Sequence, residues 1–227
     1  VGIDAIDMAA ARARGIPVVN IPEYAERTVA EGAFTLMLAL AKKLIPLDRA
    51  MRADGWAWPE AKWLANDIAG KTVGIVGAGR IGRAFAQMAG AGFGAHVIAY
   101  SPHTPPAELM QIGIEPVADL MDLMARSDVV SVHSVLNDET RGLIGGKELA
   151  AMKPSAIILN VARGAVIDEA ALVRALLEGR IAGAGLDVYS QEPLMLEGHP
   201  LSPLFGMDNV ILLPHLTFFT HEAMERL

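Results

Sequence analysis

The sequence has no cysteine among its 227 residues, which excludes disulfide cross-links and thiolate chemistry and suits a reducing compartment. It also has no apolar run of the ~20 residues that a membrane-spanning helix needs. No basic segment followed by an apolar one opens the chain, as a secretory signal would require. These absences predict a cytoplasmic protein without a membrane partner.

Basic residues are in the minority, and the formal net charge is −7 at neutral pH. This balance argues against nucleic acid or an anionic membrane surface as a partner. Hydrophobic residues make up 52% of the chain, enough to bury the core of one large domain plus a fragment of another.

A glycine-rich turn follows a β-branched run at residues 71–82. Gly77, Gly79 and Gly82 have the spacing G-x-G-x-x-G between a predicted strand and a predicted helix. In such a loop the first glycine permits a tight turn, the second lets a pyrophosphate approach the backbone, and the third lets helix and strand pack closely. The motif alone is a weak signal for a dinucleotide site, but its placement strengthens it.

Short apolar strands alternate with helices along the chain, which predicts an α/β fold with a Rossmann-type doubly wound parallel sheet. Residues 28–44 are predicted to form a long helix with Thr28 as its N-cap, apolar enough to lie between domains or across a dimer contact. The tryptophan-rich connector at 54–67 could be a stacking platform, but the pattern favours a loop packed on its own domain or on a partner subunit. The predicted strands are 16–20, 73–76, 95–100, 129–133, 156–160, 182–188 and 210–213, and the other helices are 8–14, 119–125, 146–152 and 169–177.

Ligands of such sheets bind outside the carboxyl ends of the strands, where Arg163, Glu192 and His215 are predicted to lie. Each has a plainer interpretation: a surface arginine paired with Asp168, a solvated loop carboxylate and a core histidine. The other histidines have no metal-ligand spacing, so no metal site is predicted.

Together, the three residues suit the reduction of a 2-keto acid. A guanidinium can grip the carboxylate in a two-pronged fashion. A carboxylate beside an imidazole raises the imidazole pKa, and the imidazolium can then donate a proton to the ketone oxygen. A nicotinamide cofactor would supply the hydride.

Four ordered motifs, Gly77–Gly82, Asn160–Gly164, Gly185–Pro193 and Pro214-His215, resemble the D-isomer-specific 2-hydroxyacid dehydrogenase family, which includes phosphoglycerate dehydrogenases and glyoxylate/hydroxypyruvate reductases. The resemblance implies that Arg163 binds and polarises the substrate and that Glu192 pairs with the proton donor His215. The cofactor contacts that the motifs and the resemblance imply are Gly77, Gly79, Arg80, Ile81, Gly82, Ser101, Ser134, Thr140, Ala162 and Asp187.

The chain departs from the family pattern at three positions. Ser101 stands where many members carry an aspartate on the adenosine ribose, and His103 could approach a 2′-phosphate. NAD(H) and NADP(H) therefore both remain candidate cofactors, with NADP(H) slightly favoured. Val135 replaces a usual proline, and Thr217, followed by two phenylalanines, replaces a frequent glycine, which leaves the substrate open.

The family also suggests how the chain divides. Residues 1–20 are expected to be a remnant edge of the substrate domain, 21–216 the dinucleotide-binding domain, and 217–227 the start of a C-terminal return helix. We expect a homodimer that acts on a small 2-keto or 2-hydroxy acid. The alternative is a dinucleotide-sensing dimeric interaction protein with the same fold.

Overall fold

A seven-stranded, wholly parallel sheet forms the centre of the computed structural model, which describes residues 2–3, 6–21 and 23–227. The strands have the spatial order β3-β2-β1-β4-β5-β6-β7, so the chain runs outward from β1 in both directions as the doubly wound prediction requires. Their bounds are β1 Thr72–Val76, β2 His96–Tyr100, β3 Glu115–Pro116, β4 Val129–Val132, β5 Ile157–Asn160, β6 Gly183–Leu186 and β7 Val210–Leu212.

Helices cover both faces of the sheet, which explains why its central strands are almost continuously apolar. One core contains Met37 of α2 and Phe85 of α4, and the other contains Leu123 of α6 and Leu172 of α8. The helices are α1 Met8–Ala13, α2 Glu26–Ala41, α3 Leu44–Asp54, α4 Arg80–Gln87, α5 Pro106–Gln111, α6 Leu120–Arg126, α7 Gly146–Ala151, α8 Glu169–Leu177 and α9 His221–Arg226.

The long helix α2 differs from its prediction. It begins at Glu26 with Ala25 as N-cap, so Thr28 is not the cap. The Thr28 hydroxyl instead accepts a hydrogen bond from the Arg226 guanidinium at 3.3 Å, a contact between distant parts of the chain. Several side chains of α2 belong to the core that also contains Phe85, so much of the apolar surface of this helix is covered within this chain.

Other segments also have a secondary structure that differs from the one predicted. Residues 16–20 were predicted as a strand, but they form none in the structure. The helices α3 and α5 and the short strand β3 were not predicted. Residues 1, 4 and 5 of the expected substrate-domain remnant, and residue 22, lie outside the described residues.

Across the part of the chain that the structure describes, the helices are too short or too polar to span a bilayer.

Candidate functional site

Arg163, Glu192 and His215 follow β5, β6 and β7, three adjacent parallel strands. The carboxyl ends of these strands share one edge of the sheet, and all three side chains line a single cleft of about 730 Å³ there. Asp187 and Ile81, two of the predicted cofactor contacts, line the same cleft. The structure therefore brings these five predicted residues together at one edge of the sheet.

Glu192 and His215 form an ion-pair geometry within the cleft. The imidazole Nδ1 lies 2.8 Å from one carboxylate oxygen of Glu192 and 3.1 Å from the other. Glu192 Oε1 also accepts the backbone N–H of Tyr189 at 3.0 Å, which fixes the carboxylate. Because Nδ1 is engaged by Glu192, the other ring nitrogen, Nε2, is the one available to a bound molecule.

A buried asparagine shapes the turn that carries Arg163. Asn160, at the end of β5, is 1% exposed. Its amide donates to the carbonyl of Arg163 at 3.0 Å, and its side-chain oxygen accepts the N–H of Ala162 at 3.0 Å. The guanidinium donates to the Ala162 carbonyl at 2.7 Å. Asn160 is thus a supporting residue that sequence reasoning left without a role, although it opens the motif.

The loop after β6 is held by buried groups. The Glu169 carboxylate accepts the N–H of Ser190 at 2.6 Å and also its hydroxyl. The Tyr189 hydroxyl donates to the carbonyl of Leu213 at 2.6 Å, which joins the ends of β6 and β7. Burial raises the pKa of Tyr189 well above its usual range, so the phenol stays protonated.

The glycine turn after β1 leaves room for a ligand. Gly77 has φ of +94°, and a methyl group on it would lie 2.7 Å from the backbone N and Cα of Ser134, so only glycine fits. A methyl group on Gly79 would meet no protein atom within 4 Å, so space is open over the turn. The first-turn amides of α4 have no acceptors within the helix and point toward such a space.

Two polar atoms beside this turn are enclosed by protein but have no hydrogen-bond partner among the described residues. They are Ser134 Oγ and His133 Nδ1. Burial lowers the pKa of His133 to about 3, so its ring is neutral, and its Nε2 lies 2.8 Å from Ser131 Oγ. Unpaired polar atoms, an open glycine and helix amides together fit the phosphates and sugar of a dinucleotide.

The remaining predicted contacts lie on α4 and on the loops after β2 and β4. Ser101 Oγ accepts the Ala78 N–H at 3.1 Å, which fixes the loop itself. The Thr140 hydroxyl donates to the Val135 carbonyl at 2.6 Å within its own loop. Arg80, on α4 with Ile81 and Gly82, forms ion pairs with Glu23 at 2.6 Å and Glu26 at 3.6 Å.

Tyr24, Arg141 and Phe218 also line the cleft. Phe218 is one of the two phenylalanines expected to affect the substrate pocket, whereas Tyr24 and Arg141 were not predicted as site residues. The Phe218 ring packs edge-on against both Tyr24 and His215, with centroids 6.3 Å apart in each case. Arg141 lies nine residues beyond the end of β4, farther than the strand-end rule reaches. Tyr24 precedes α2 and carries no local signal.

A second cavity of about 480 Å³ lies at the opposite, amino edge of the sheet, and none of the predicted site residues lines it. Over residues 2–3, 6–21 and 23–227 no three histidine, aspartate or glutamate side chains are grouped to hold a metal ion.

Comparison with known proteins agrees with this geometry. Residues 34–217 match the model of the D-isomer specific 2-hydroxyacid dehydrogenase NAD-binding domain. The chain is 44% identical over 226 residues to a D-3-phosphoglycerate dehydrogenase of Mycobacterium leprae, with 100% of this chain and 41% of the relative covered. It therefore spans about two fifths of that relative's length.

Two further similarities point the same way. A glyoxylate reductase of Thermococcus litoralis is 45% identical over 230 residues, which cover 99% of this chain and 67% of the relative. The structure of a D-lactate dehydrogenase from Aquifex aeolicus, complexed with NAD and lactic acid, superposes with a TM-score of 0.90 at 33% identity and covers 99% of this chain and 70% of that one. The chain belongs to the D-isomer-specific 2-hydroxyacid dehydrogenase family.

Proposed function

We propose that this protein transfers a hydride between NAD(P)H and a small 2-keto acid, giving the D-2-hydroxy acid, or catalyses the reverse reaction. The observation that carries the proposal is the 2.8 Å pair of His215 Nδ1 and Glu192 in a cleft that Arg163 also lines. The pair can hold and supply a proton, and the arginine can hold a carboxylate.

The proposed roles follow from the chemistry of each group. Reduction adds a hydride to the ketone carbon and a proton to its oxygen. The bound nicotinamide supplies the hydride. Arg163 binds the substrate carboxylate and polarises the adjacent carbonyl, while protonated His215 donates from Nε2 to the oxygen. Glu192 stabilises the imidazolium and orients the ring.

The dinucleotide would lie across the glycine turn. Gly77, Gly79 and Gly82, with Arg80 and Ile81, would hold the pyrophosphate, which the open space over Gly79 supports. Ser134 and Thr140 would face the adenosine side, and the unpartnered Ser134 Oγ supports that contact. Ser101 would face the ribose of the adenosine. Ala162 and Asp187 would lie beside the nicotinamide.

The test is turnover of the full-length protein with glyoxylate, hydroxypyruvate or pyruvate, followed by nicotinamide absorbance. We expect His215→Gln to lower kcat by about 100- to 10,000-fold, the usual contribution of a positioned general acid. A matched control exists at His96, whose Nε2 lies 2.8 Å from Glu115 outside the cleft and which has similar exposure. His96→Gln should leave kcat within about twofold.

Two outcomes would contradict the proposal. If the Arg163→Ala variant turns over substrate as fast as the parent, Arg163 does not hold the substrate. Dinucleotide binding without turnover on a wide panel of 2-keto acids would favour the dinucleotide-sensing interaction protein instead.

The choice of dinucleotide is proposed to favour NADP(H) slightly. Ser101 brings no carboxylate to repel a 2′-phosphate, but the exposed His103 lies 3.2 Å from the Glu139 carboxylate, which opposes a phosphate there. We expect Ser101→Asp to shift binding toward NADH and Glu139→Gln to shift it toward NADPH. Fluorescence titration with both cofactors would measure the two shifts.

We also propose the assembly and division of the chain. Residues 1–20 would edge a substrate domain, which the position of Gly2 beside the cleft supports. Residues 21–216 would form the dinucleotide-binding domain, and 217–227 would begin the return helix. The protein would be cytoplasmic. It would form a homodimer, since α3 and the connector expose large apolar side chains such as Leu44 and Trp58.

A further inference from the structure

The segment that follows His215 is held by one buried carboxylate. Asp187 is 1% exposed, and its Oδ1 accepts the backbone N–H of Leu216 at 2.9 Å. Its Oδ2 accepts both the N–H of Thr217 at 3.1 Å and the Thr217 hydroxyl at 2.5 Å. Three donors from two consecutive residues thus satisfy a carboxylate that would be costly to bury without them.

This hold matters because His215 has an uncommon backbone conformation. Its φ of +58° lies in the left-handed region, which costs a non-glycine residue free energy and persists only where the surroundings enforce it. Glu192 fixes the imidazole on one side. Asp187 fixes the next two residues on the other, so the chain cannot relax without breaking these bonds.

A glycine on the neighbouring helix makes room for Thr217. A methyl group on Gly32 of α2 would lie 2.6 Å from Thr217 Cβ and 2.7 Å from its Cγ2, closer than packed atoms can approach. Glycine inside a helix is unfavourable relative to alanine. The two residues are therefore complementary in size: the threonine occupies the volume that a side chain at position 32 would need.

We propose that Thr217, packed against Gly32, is a positioning residue for His215 in the reaction proposed above. Its hydroxyl completes the hold of Asp187 on the segment that carries the proton donor. The role rests on the proposed function, since it acts only through His215. It assigns to Gly32, which does not itself line the cleft, the task of admitting the threonine side chain.

The first test compares Thr217→Val with Thr217→Ser in the full-length protein, using glyoxylate and both dinucleotides. Valine keeps the shape and removes the donor, whereas serine keeps the donor. A hydrogen bond to a buried carboxylate is strong, so we expect Thr217→Val to lower kcat by about tenfold or more. The KM for glyoxylate, whose carboxylate Arg163 would hold, should stay within about twofold, and Thr217→Ser should regain most of kcat.

The second test is a double-mutant cycle with Gly32. We expect Gly32→Ala to lower kcat about tenfold in the presence of Thr217, because the methyl group displaces the threonine. In a Thr217→Gly background the same change should alter kcat by less than about twofold. The cycle does not use the valine variant, so it tests the role even if that variant folds poorly. Thermal unfolding of the four proteins in the cycle shows which of them are folded at the assay temperature.

Three results would overturn the role. Thr217→Val could turn over like the parent, serine and valine could lower kcat equally, or Gly32→Ala could act equally in both backgrounds. An active parent that gives any of these results overturns the positioning role alone. A parent that reduces no 2-keto acid overturns the proposed function and this role with it.

Discussion

At the scale of single residues, His133 is a neutral imidazole at the end of β4. Its Nδ1 is enclosed without a partner, and burial lowers its pKa from 6.5 to about 3. Between these two values the unfolded chain binds a proton that the folded chain does not. The free energy of unfolding that depends on this group is therefore fully present above pH 6.5 and is lost as the pH falls toward 3.

We predict that His133→Gln flattens the acid side of the stability profile. The parent should lose roughly 1.4 kcal/mol of unfolding free energy per pH unit below about 6.5 that the variant does not lose. Between pH 7.5 and 4.5 the difference should reach about 2.5 kcal/mol. Urea unfolding at several pH values measures it.

The same measurement on His221→Gln provides the control for removing one histidine, because His221 is exposed at the start of α9. Parallel profiles for the parent and His133→Gln would show that this histidine does not control acid stability.

The catalytic candidates show what the sequence supplies at this scale. Arg163, Glu192 and His215 could be found because a general rule connects strand ends to one edge of the sheet. The partners that hold them could not. Asn160 and Thr217 act through hydrogen bonds to groups that only the folded backbone brings close, and no spacing in the sequence encodes those contacts.

At the scale of elements, local signals decided which helices were predictable. The helix α8 was predicted with its observed bounds because Asp168 caps it, accepting the N–H of Ala171 at 3.0 Å, and apolar residues repeat along it. The helix α3 was not predicted. It has no side-chain cap hydrogen bond at its N-terminus, and Pro46 lies in its first turn, where proline is tolerated.

Strands depend on partners that the sequence does not name. Residues 16–20 have strand-like composition but pair with no strand in the described structure. The two-residue β3 exists because it pairs with Ile98 and Ala99 of β2. β-Propensity describes how a segment fits a sheet, so it cannot decide whether a sheet edge is available.

The turn between β1 and α4 allows structural and ligand effects to be separated. Gly77→Ala would place a methyl group 2.7 Å from the Ser134 backbone at φ of +94°. We predict a loss of about 2 kcal/mol or more of unfolding free energy, together with loss of dinucleotide binding. Gly79→Ala meets no protein atom but replaces the N-cap of α4 by a poorer one, so it should cost only about 1 kcal/mol of unfolding free energy and still weaken dinucleotide binding.

Thermal unfolding and dinucleotide titration of both variants check this pair of expectations. If the Gly79→Ala variant binds NADH and NADPH as tightly as the parent does, the pyrophosphate does not bind at this turn. Gly77→Ala with unchanged stability would show that the backbone of Ser134 can move aside.

At the scale of the whole molecule, α3 and the connector expose several large apolar side chains. Leu44 is 57% exposed, Trp58 72% and Leu64 73%, whereas much of the apolar surface of α2 is covered by this chain's own core. The sequence suggested both the long helix and the tryptophan-rich connector as dimer contacts. It shows which side chains are apolar but not which are already covered, as those of α2 largely are. Exposed apolar surface of this kind is typical of an interface.

We predict that the parent has twice the mass of one chain by light scattering and that the double variant Leu44→Lys, Trp58→Lys has the mass of one. Placing two lysines on each protomer buries unpaired charges at a self-complementary contact, which costs several kcal/mol of association free energy. Leu177→Lys is the matched control, since Leu177 on α8 is 60% exposed but lies outside this surface. If the parent has the mass of one chain, the dimer is excluded. If the Leu177→Lys control also dissociates, the interface includes α8 instead.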